Sequence, residues 1–377
     1  MKPIRLGLIK GGQLGRMLLQ AAAAYPVICS VMDNEVSAPC RAFAGNFFLG
    51  DPLNAEDVYA FGKSLDAVTL EFEHVSIEGL KRLEKEGVKV FPRPHILEII
   101  QDKAAQKKFY QALKIPSPEY ILVNGRKELS MHVDFLPAVQ KLRKSGYDGK
   151  GVLKLNSAED FEKAFDEASF IEKTVPFTKE ISVIGVRNSS GDIKTYPLVE
   201  MVADPVHHLL DYLFSPADVS ESVEMKACGI VRKILEALDF TGILAVEMFV
   251  TEVGEVLVNE MSPRPHNSGH HTIEANRTSQ YEQLLRAILG LPLGEPDLIS
   301  PAATVNLLGQ PKASGPVFYE GLTQVLGRGG VYLHLYGKNE TRPFRKMGHV
   351  TVTAPDIETA VAVAKKVKDT LKVISND

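Results

Sequence analysis

The chain has 377 residues, of which 45% are hydrophobic and 24% are charged, and its formal net charge is −4. This composition is typical of a globular protein with two or three domains, and the negative charge argues against a nucleic-acid or membrane-surface binder, whose surface would be basic. No apolar run approaches the roughly 18 residues of a membrane span, the N-terminus lacks a signal-peptide pattern, and cysteines without metal-like spacing favour free thiols. The sequence therefore predicts a cytoplasmic protein.

The first 95 residues alternate short apolar runs with helical patterns. Strands are predicted at "IRLGLI", "VICSVMD", "AVTLEF" and "VKVF", with helices between them at "LGRMLLQAAAA", "NAEDVYAFGKSL" and "SIEGLKRLEKEG". This alternation predicts an α/β, Rossmann-like domain with an open parallel sheet and helices on both faces. The two prolines of "FPRPH" end the pattern near residue 95.

The rest of the chain has a different pattern. After one or two helices at residues 94–113, strands such as "AVQKLR", "ISVIGVR", "IKTYPLVEMV" and "ILAVEMFV" alternate with helices such as "AEDFEKAFDEA" and "EMKACGIVRKILEAL". Mixed strands with flanking helices indicate an α+β domain, and "LGLPLGEPDLISP" is typical of a linker. We therefore predict three domains, at residues 1–95, 96–295 and 296–377, the last of them small and β-rich.

The turn after the first predicted strand contains three glycines: Gly11, Gly12 and Gly15. With Asp33 at the end of the next strand, the pattern is similar to a dinucleotide fingerprint, but Lys10 takes the place of its first glycine. Three interpretations remain open. They are an NAD-dependent dehydrogenase, a tight turn without a ligand, and an anion-binding helix start at which Gln13 contacts a small substrate.

Two glutamates in "EMFVTEVGEVLVNE" are predicted to face each other. If Val253 and Gly254 form the turn of a hairpin, Glu247 lies directly opposite Glu260. Like charges placed side by side destabilise a sheet unless they share a proton or a cation. Because oxygen ligands suit Mg²⁺, the pair predicts a magnesium site, with a solvent-exposed edge hairpin as the alternative.

The loop that follows Glu260, "MSPRPHNSGHH", is rich in polar side chains. Arg264 is near enough in sequence to bind an oxyanion held at the metal. Four donors and acceptors that suit a hydroxylated or heterocyclic substrate come next: His266, Asn267, Ser268 and His270. A zinc site is the alternative, and it would use three histidines: His266, His270 and His271. No cysteine or aspartate joins these histidines in the loop.

The segment "KLRKSGYDGKG", residues 141–151, is predicted to bind phosphate, because it places glycines and cationic side chains between two strands. It lacks the Walker pattern, so an ordinary surface loop is the alternative. Further along, Glu172 and Glu180 lie at strand edges, where either could accept hydrogen bonds from an adenine amino group or from ribose hydroxyls.

Several segments appear together in an order that resembles one enzyme family: "GGQLGRML", "EFEHV", "QDKAAQKKF", "GYDGKG", "NEMSPRPHNSGH" and "RPFRKMGH". Over essentially the whole chain they resemble the ATP-grasp superfamily, and most closely its N5-carboxyaminoimidazole ribonucleotide synthases of purine biosynthesis. The resemblance implies an ATP-grasp fold. It also implies a reaction in which ATP phosphorylates bicarbonate to carboxyphosphate and the carboxyl group passes to 5-aminoimidazole ribonucleotide. Mg²⁺ as the cofactor and a homodimer are implied as well.

The resemblance assigns roles in nucleotide binding to individual residues. The implied ATP contacts are Lys103, Lys141, Tyr147, Asp148, Gly149, Lys150, Gly151, Glu172, Lys173, Thr174, Val175, Glu180, Asn259 and Glu260. The implied Mg²⁺ ligands are Glu247 and Glu260.

The resemblance also assigns contacts to bicarbonate and to the ribonucleotide. These contacts are Gln13, Glu73, Tyr147, Lys150, Arg264, His266, Asn267, Ser268, His270, Lys338 and Arg345. The implied catalytic residues are Arg264, His266 and Lys141. Arg264 would orient bicarbonate, and Lys338 and Arg345 would hold the phosphate of the ribonucleotide.

Two positions depart from the family pattern. Ala203 stands where the family often has a nucleotide-contacting histidine, and Val152 stands where a glutamine is common. Two related alternatives remain: a formate-dependent glycinamide ribonucleotide transformylase, which shares the architecture, and a binding-only ATP-grasp relative. "HNSGH" after the proline-containing loop favours the carboxylase.

Overall fold

The computed structural model describes residues 2–144, 151–204 and 210–375. Within these ranges the strands form four sheets: a parallel sheet near the N-terminus, a small antiparallel sheet, a large sheet and a three-stranded sheet. No helix of the described ranges combines the length and the apolar character that crossing a membrane would require.

The predicted parallel sheet is confirmed. Its strands are β1 (Ile4–Ile9), β2 (Val27–Asp33), β3 (Asn46–Leu49), β4 (Ala67–Leu70) and β5 (Lys89–Phe91), and its helices are α1 (Gln13–Ala22), α2 (Ala55–Gly62) and α3 (Ile77–Lys85). The strand order is β3-β2-β1-β4-β5, so the direction of winding changes between β1 and β4. Ligands of open α/β sheets bind at the carboxyl ends of the strands that flank such a switch point.

The small sheet follows a helical pair. The helices are α4 (Pro94–Ile100) and α5 (Lys103–Ala112), and the strands are β6 (Tyr120–Val123), β7 (Ala138–Leu142), β8 (Val152–Leu155) and β9 (Ser169–Lys173). All pairs are antiparallel in the order β6-β9-β7-β8. The helix predicted at "AEDFEKAFDEA" is wrong in type and length, because only Ala158–Lys163 is helical and it is a 3-10 helix.

The large sheet carries most of the remaining chain. Its strands are β10 (Phe177–Arg187), β11 (Ile193–Thr195), β12 (Val199–Ala203), β13 (Leu210–Ser215), β14 (Gly242–Thr251), β15 (Val256–Ser262), β16 (Ala302–Leu308), β18 (Val331–Leu335) and β20 (Lys346–Thr353). The main order is β15-β14-β10-β12-β13-β16-β20-β18, and β11 pairs with β10. "IKTYPLVEMV", predicted as one strand, forms two.

The C-terminal strands continue the large sheet. β16 pairs with β13 from Tyr212↔Val305 to Ser215↔Ala302, and β20 pairs with β16. A three-stranded sheet lies beside them, formed by β17 (Gly315–Glu320), β19 (Glu340–Thr341) and β21 (Lys372–Ser375). One backbone ladder therefore runs from the hairpin β14–β15 to the C-terminal strands.

Helices cover the sheets and fix their relative positions. They are α6 (Glu221–Ala237), α7 (Thr272–Ala275), α8 (Gln280–Ile288), α9 (Leu322–Leu326) and α10 (Ile357–Thr370). Leu14 and Leu18 of α1 belong to one buried apolar cluster with Leu284 and Leu285 of α8 and with Ala245 of β14. This cluster fixes the glycine turn before α1 against the large sheet.

Candidate active site

Glu247 and Glu260 lie directly opposite each other on β14 and β15, as predicted. The predicted two-residue turn is wrong, however. Thr251 and Glu255 close the hairpin, because the Thr251 N–H donates to the Glu255 carbonyl at 3.0 Å. The turn therefore has three residues, and its last residue, Gly254, has a φ of +74°, a conformation that favours glycine.

A β-bulge restores the predicted pairing. Met248 pairs with Val258 on the turn side, and Glu247 pairs with Glu260 beyond it, so Asn259 is the extra residue. Bulges re-aim side chains next to active sites. Here the Asn259 Oδ1 accepts a hydrogen bond from the Lys141 Nζ at 2.8 Å, which brings β15 into contact with the small sheet.

The two carboxylates have different electrostatic surroundings. Lys103 Nζ contacts Glu260 Oε2, and its positive charge lowers the pKa of Glu260. Burial raises the pKa of Glu247, and the charge of Glu260 raises it further. The Glu247 carboxylate lies 3.3 Å from the His266 Nε2, but burial lowers the pKa of His266 to about 3, so the ring is neutral. The neutral His266 ring therefore does not balance the negative charge of an ionised Glu247.

The acidic pair fits Mg²⁺. Glu247 and Glu260 keep 21% and 40% of their side chains exposed, which leaves room for a ligand between them and solvent. Mg²⁺ prefers oxygen donors and takes its remaining ligands from phosphate and water. Within the described residues there is no group of three or more His, Cys, Asp or Glu side chains suited to a metal, so the zinc alternative gains no support.

A buried chain of charges lies on the small sheet beside this pair. The Glu172 carboxylate contacts the Lys141 Nζ with one oxygen and the Lys107 Nζ, at 2.8 Å, with the other. Although burial opposes it, Lys141 and Lys107 lower the pKa of Glu172. Glu172 is 3% exposed and both of its oxygens face lysines, and its contact with the adenine side of ATP stays a prediction.

The segment after β9 offers edges for a base and a ribose. The Lys173 N–H donates to the Glu119 carbonyl at 2.9 Å, while Thr174 is exposed and Val175 is partly exposed. On the facing strand, burial raises the pKa of Glu180, which lies in the large sheet opposite Phe249.

Phe249 is a site residue that sequence reasoning missed. It stacks on Phe177 with ring centroids 4.7 Å apart. Alternation along β14 places it on the same face as Glu247, which is the signal that could have identified it. An aromatic ring on this face suits a planar base.

Part of the predicted phosphate loop lies outside the described residues. This part is residues 145–150, which include the predicted contacts Tyr147, Asp148, Gly149 and Lys150. Gly151, which is described, has a φ of +76°, and its carbonyl accepts a hydrogen bond from the Leu142 N–H at 2.9 Å.

Arg264 and Glu73 form an ion pair between the loop after β15 and the segment after β4. The Arg264 Nε donates to one Glu73 oxygen at 2.5 Å, and its Nη2 donates to the other at 3.3 Å. Each side chain is 14% exposed. The pair places the guanidinium at the carboxyl end of the parallel sheet.

The "HNSGH" motif divides into contacting and supporting residues. His266 and Asn267 are partly exposed, whereas Ser268 and His270 are buried. The Ser268 Oγ lies 2.8 Å from both the His266 Nδ1 and the Ser182 Oγ. The Ser268 hydroxyl is thus enclosed and positions His266, and its predicted contact with the substrate stays a prediction.

His270 is likewise enclosed by protein. Its ring nitrogens face the hydroxyls of Tyr281 at 3.1 Å and Tyr336 at 3.3 Å, and its ring stacks on His349. Only 1% of the residue is exposed. These contacts hold the ring in place, and the predicted contact of His270 with the substrate stays a prediction.

At the start of α1, a backbone N–H group already donates to a carboxylate of the protein itself, that of Glu71. The Gly15 N–H donates to the Glu71 Oε2 at 2.8 Å, and a Cβ on Gly12 would lie 2.0 Å from the other oxygen. Burial raises the pKa of Glu71 to about 7. Because Asp33 also accepts from the Gly11 N–H at 2.7 Å, the turn lacks the open cradle that a dinucleotide pyrophosphate needs.

Glu71 was missed because its partner glycines are distant in sequence. Gln13, the first residue of α1, is partly exposed beside it. Lys10, at the position where the fingerprint has glycine, adopts a φ of +72°.

A basic cluster lies where the C-terminal segment meets α1. Burial, then Arg345, lowers the pKa of Lys338 to about 8, and its Nζ donates to the Lys346 carbonyl at 2.7 Å. Arg345 is partly exposed, and its Nη1 donates to the Glu340 carbonyl. Arg16 also belongs here, because a Cβ on Gly337 would lie 1.9 Å from its Nη1.

Arg16 also lines a cavity of about 260 Å³ between α1 and β18. Sequence reasoning missed Arg16 although it is part of "GGQLGRML". Its helical position alone gave no sign that a strand more than three hundred residues later would approach it.

Comparison with known families divides the chain into three matched stretches. Residues 1–101 match the ribonucleotide synthetase preATP-grasp domain, residues 108–281 the ATP-grasp domain, and residues 302–362 the phosphoribosylaminoimidazole carboxylase C-terminal domain.

Two curated relatives differ in length. The N5-carboxyaminoimidazole ribonucleotide synthase of Bacillus subtilis is 36% identical over 354 residues, covering 92% of this chain and 90% of that protein. The chloroplastic phosphoribosylaminoimidazole carboxylase of Vigna aconitifolia is also 36% identical, over 93% of this chain, but the chain spans only 64% of that relative's length.

Solved structures resemble the whole chain. The N5-carboxyaminoimidazole ribonucleotide synthetase of Thermotoga maritima is 41% identical and superposes with a TM-score of 0.92 over 99% of this chain and 100% of that one. The Aspergillus clavatus N5-carboxyaminoimidazole synthase, solved with ADP and 5-aminoimidazole ribonucleotide, is 30% identical with a TM-score of 0.89 over 98% of each chain.

Proposed function

This chain belongs to the N5-carboxyaminoimidazole ribonucleotide synthase family of ATP-grasp enzymes, and we propose that it carboxylates 5-aminoimidazole ribonucleotide with bicarbonate and ATP. The products are N5-carboxyaminoimidazole ribonucleotide, ADP and phosphate. The observation that carries this proposal is that Glu247 and Glu260 face each other. Arg264 follows Glu260 by four residues and is fixed by its ion pair with Glu73.

The nucleotide binds between the small sheet and the face of β10 and β14. Glu180 takes the ribose, Phe249 packs on the base, and Lys103 and Lys141 meet the phosphates. Glu247 and Glu260 would hold Mg²⁺, which would supply charge neutralisation at the phosphates. Phosphoryl transfer needs mostly positioning and charge neutralisation, and these groups supply both.

Bicarbonate lies beside Arg264. The guanidinium is a planar fork that matches a carboxylate-like anion in two contacts, and Glu73 sets its orientation. His266 stays neutral because burial lowers its pKa, so it can contact the substrates without adding charge. Carboxyphosphate hydrolyses readily, so enclosure of this site protects the intermediate from water.

The ribonucleotide lies at the switch point of the parallel sheet. Lys338, Arg345 and Arg16 surround its phosphate, while Gln13 and Glu73 line the end that carries the amine. Carbon–nitrogen bond formation at the exocyclic amine then releases phosphate from carboxyphosphate. Each substrate is therefore held by a different layer of the fold.

One assay separates this function from its nearest alternative. Phosphate release from ATP is expected only when 5-aminoimidazole ribonucleotide and bicarbonate are both present. Release that instead requires formate and glycinamide ribonucleotide would assign the chain to the transformylase reaction.

We further propose that the protein acts in the cytoplasm as a homodimer with three domains, at 1–95, 96–295 and 296–377. The family matches at 1–101, 108–281 and 302–362 support this division. Sedimentation of the purified chain tests the dimer, and a monomeric mass at assay concentrations would contradict it.

A further inference from the structure

Helix α5 presents two lysines, one turn apart, to two different sheets. Residues four apart lie on the same helix face. Lys103 contacts Glu260 on the large sheet, and Lys107 contacts Glu172 on the small sheet. The Lys103 N–H also donates to the carbonyl of Arg143 at 2.9 Å, which ties the start of α5 to the end of β7.

Lys107 is almost fully buried. Only 3% of its side chain is exposed, its Nζ lies 2.8 Å from Glu172, and the rings of Tyr120 and Phe170 lie at 6.0 and 5.9 Å. A buried lysine costs stability unless it is paired, which explains its contact with a carboxylate. Glu172, however, already has a second cation in Lys141.

The two lysines of Glu172 differ in what else they can reach. Lys141 is 13% exposed and also donates to Asn259, so it faces the nucleotide side. Lys107 is less exposed, and its Nζ also lies 3.5 Å from the Pro118 carbonyl, although its side chain borders a small cavity of about 10 Å³ that Lys141 and Asn259 also line. Lys141, which is more exposed and already reaches Asn259, is therefore the lysine that we expect to turn to a bound phosphate.

We propose that Lys107 is a positioning residue, which remains as the counter-ion of Glu172 when Lys141 turns to the nucleotide. Without Lys107, the buried carboxylate would depend on Lys141 alone and would compete with phosphate for it. Leaving a buried charge unpaired is strongly unfavourable, so this competition weakens nucleotide binding. The inference rests on the proposed ATP-dependent function.

Binding of ADP, measured by calorimetry with Mg²⁺ and without the other substrates, tests the proposal. Lys107→Met is expected to weaken ADP at least about tenfold, which corresponds to ~1.4 kcal/mol, whereas Lys107→Arg retains most of the affinity. In steady-state assays the KM for ATP rises, while the KM for the ribonucleotide and kcat change little. A purely structural role would not produce this separation.

A second experiment removes the Glu172 carboxylate, which competes with phosphate for Lys141. In a Glu172→Gln background, Lys107→Met is expected to leave ADP affinity unchanged, because no buried charge then holds Lys141. This double variant also buries no unpaired charge, so it remains measurable if Lys107→Met alone does not fold. Lys108→Met, at an exposed position of the same helix, is the matched control.

The outcomes separate this inference from the proposed function. A wild-type chain that does not bind ADP would refute the proposed function itself. A wild-type chain that binds ADP, together with a folded Lys107→Met that binds it equally well, would overturn the role of Lys107 alone. An equal loss on adding Lys107→Met to Glu172→Gln would overturn it as well.

Discussion

Arg264 and Glu73 are 191 residues apart in the chain, yet they form a two-contact ion pair that joins the loop after β15 to the parallel sheet. The Arg264 guanidinium, which is proposed to orient bicarbonate, is therefore itself oriented by Glu73, which follows a strand of the parallel sheet. Phe72 extends this contact, because the Arg264 guanidinium lies 5.9 Å from its ring centroid.

Glu73→Gln should disturb catalysis more than nucleotide binding. Loss of the charge removes one constraint on the Arg264 fork, and we expect kcat to fall about 10- to 100-fold through misorientation. ADP affinity should stay within about twofold, since Glu73 lies away from the nucleotide side. Glu78→Gln, exposed on α3, is the control, and an equal loss in both variants would contradict the prediction.

Glu247→Gln should separate stability from activity. The substitution relieves repulsion by Glu260 in a site where burial already disfavours the charge, so the Mg²⁺-free protein should gain stability. We expect its unfolding temperature to rise by about 1–4 °C. At the same time kcat should fall by about 10²-fold or more, because a proposed metal ligand is lost.

Glu255→Gln, at the exposed end of the same hairpin, is the matched control for this variant. Thermal scans with and without Mg²⁺, together with steady-state rates, are the measurements. A destabilised but fully active Glu247→Gln enzyme would be incompatible with the proposed metal site.

The titration of Lys338 should lower kcat/KM for the ribonucleotide at alkaline pH. Its pKa is lowered from 10.5 to about 8, first by burial, so the free enzyme loses this positive charge as the pH rises through 8. Binding of an anionic phosphate is then weakened above pH 8 and is unaffected below it. We expect kcat/KM for the ribonucleotide to fall by up to about tenfold per pH unit above that value.

Lys338→Arg distinguishes this cause from other titrations. An arginine remains charged throughout the range, so the alkaline limb should disappear, whereas Lys338→Ala should have a KM that is raised below pH 8 and does not depend on this titration. The measurement is the pH profile of kcat/KM from pH 6.5 to 9.5 at saturating ATP. An unchanged limb in the arginine variant would assign it to another group.

Glu71 should make stability depend on pH in a direction opposite to that of most carboxylates. Its pKa is about 7 in the folded chain, with burial as the main cause, and 4.5 is its ordinary value. Between these values the folded state holds a proton that the unfolded state releases. Its stabilising contribution is therefore complete below pH 4.5 and is lost as the pH rises through 7.

Glu71→Gln tests this sign. The difference in unfolding temperature, variant minus wild type, should be small near pH 5 and become positive by pH 8, because only the wild type then buries a charge. Glu86→Gln, exposed on the same domain, provides the comparison. A difference that falls with pH would contradict the burial argument.

The sequence predicted local features well where side-chain alternation decides them. The opposition of Glu247 and Glu260 was predicted from a two-residue turn, although the hairpin has a longer turn and a bulge at Asn259. The longer turn shifts the strand pairing by one residue, and the bulge shifts it back, so Glu247 still pairs with Glu260. Alternation alone could not identify the bulge, since Asn259 is drawn toward Lys141 on another sheet.

Features that depend on distant contacts were not predictable from local patterns. Lys107 resembles an ordinary charged position of an amphipathic helix, and only the packing of α5 shows its burial against Glu172. Glu71 gives no local sign that it closes the start of α1. His270 was assigned to the substrate by its motif, because no pattern showed that Tyr281 and Tyr336 enclose it.

The pairing of β13 with β16 fixes the distance between two parts of the proposed site. The hairpin bearing the acidic pair and the strands beside Lys338 are rungs of one continuous hydrogen-bonded lattice, with neighbouring strands about 4.8 Å apart. The hydrogen bonds prevent neighbouring strands from sliding past each other, so the strands keep a fixed separation. The separation between the proposed Mg²⁺ site and the proposed phosphate site at Lys338 is therefore set by the strands and should change little when ligands bind.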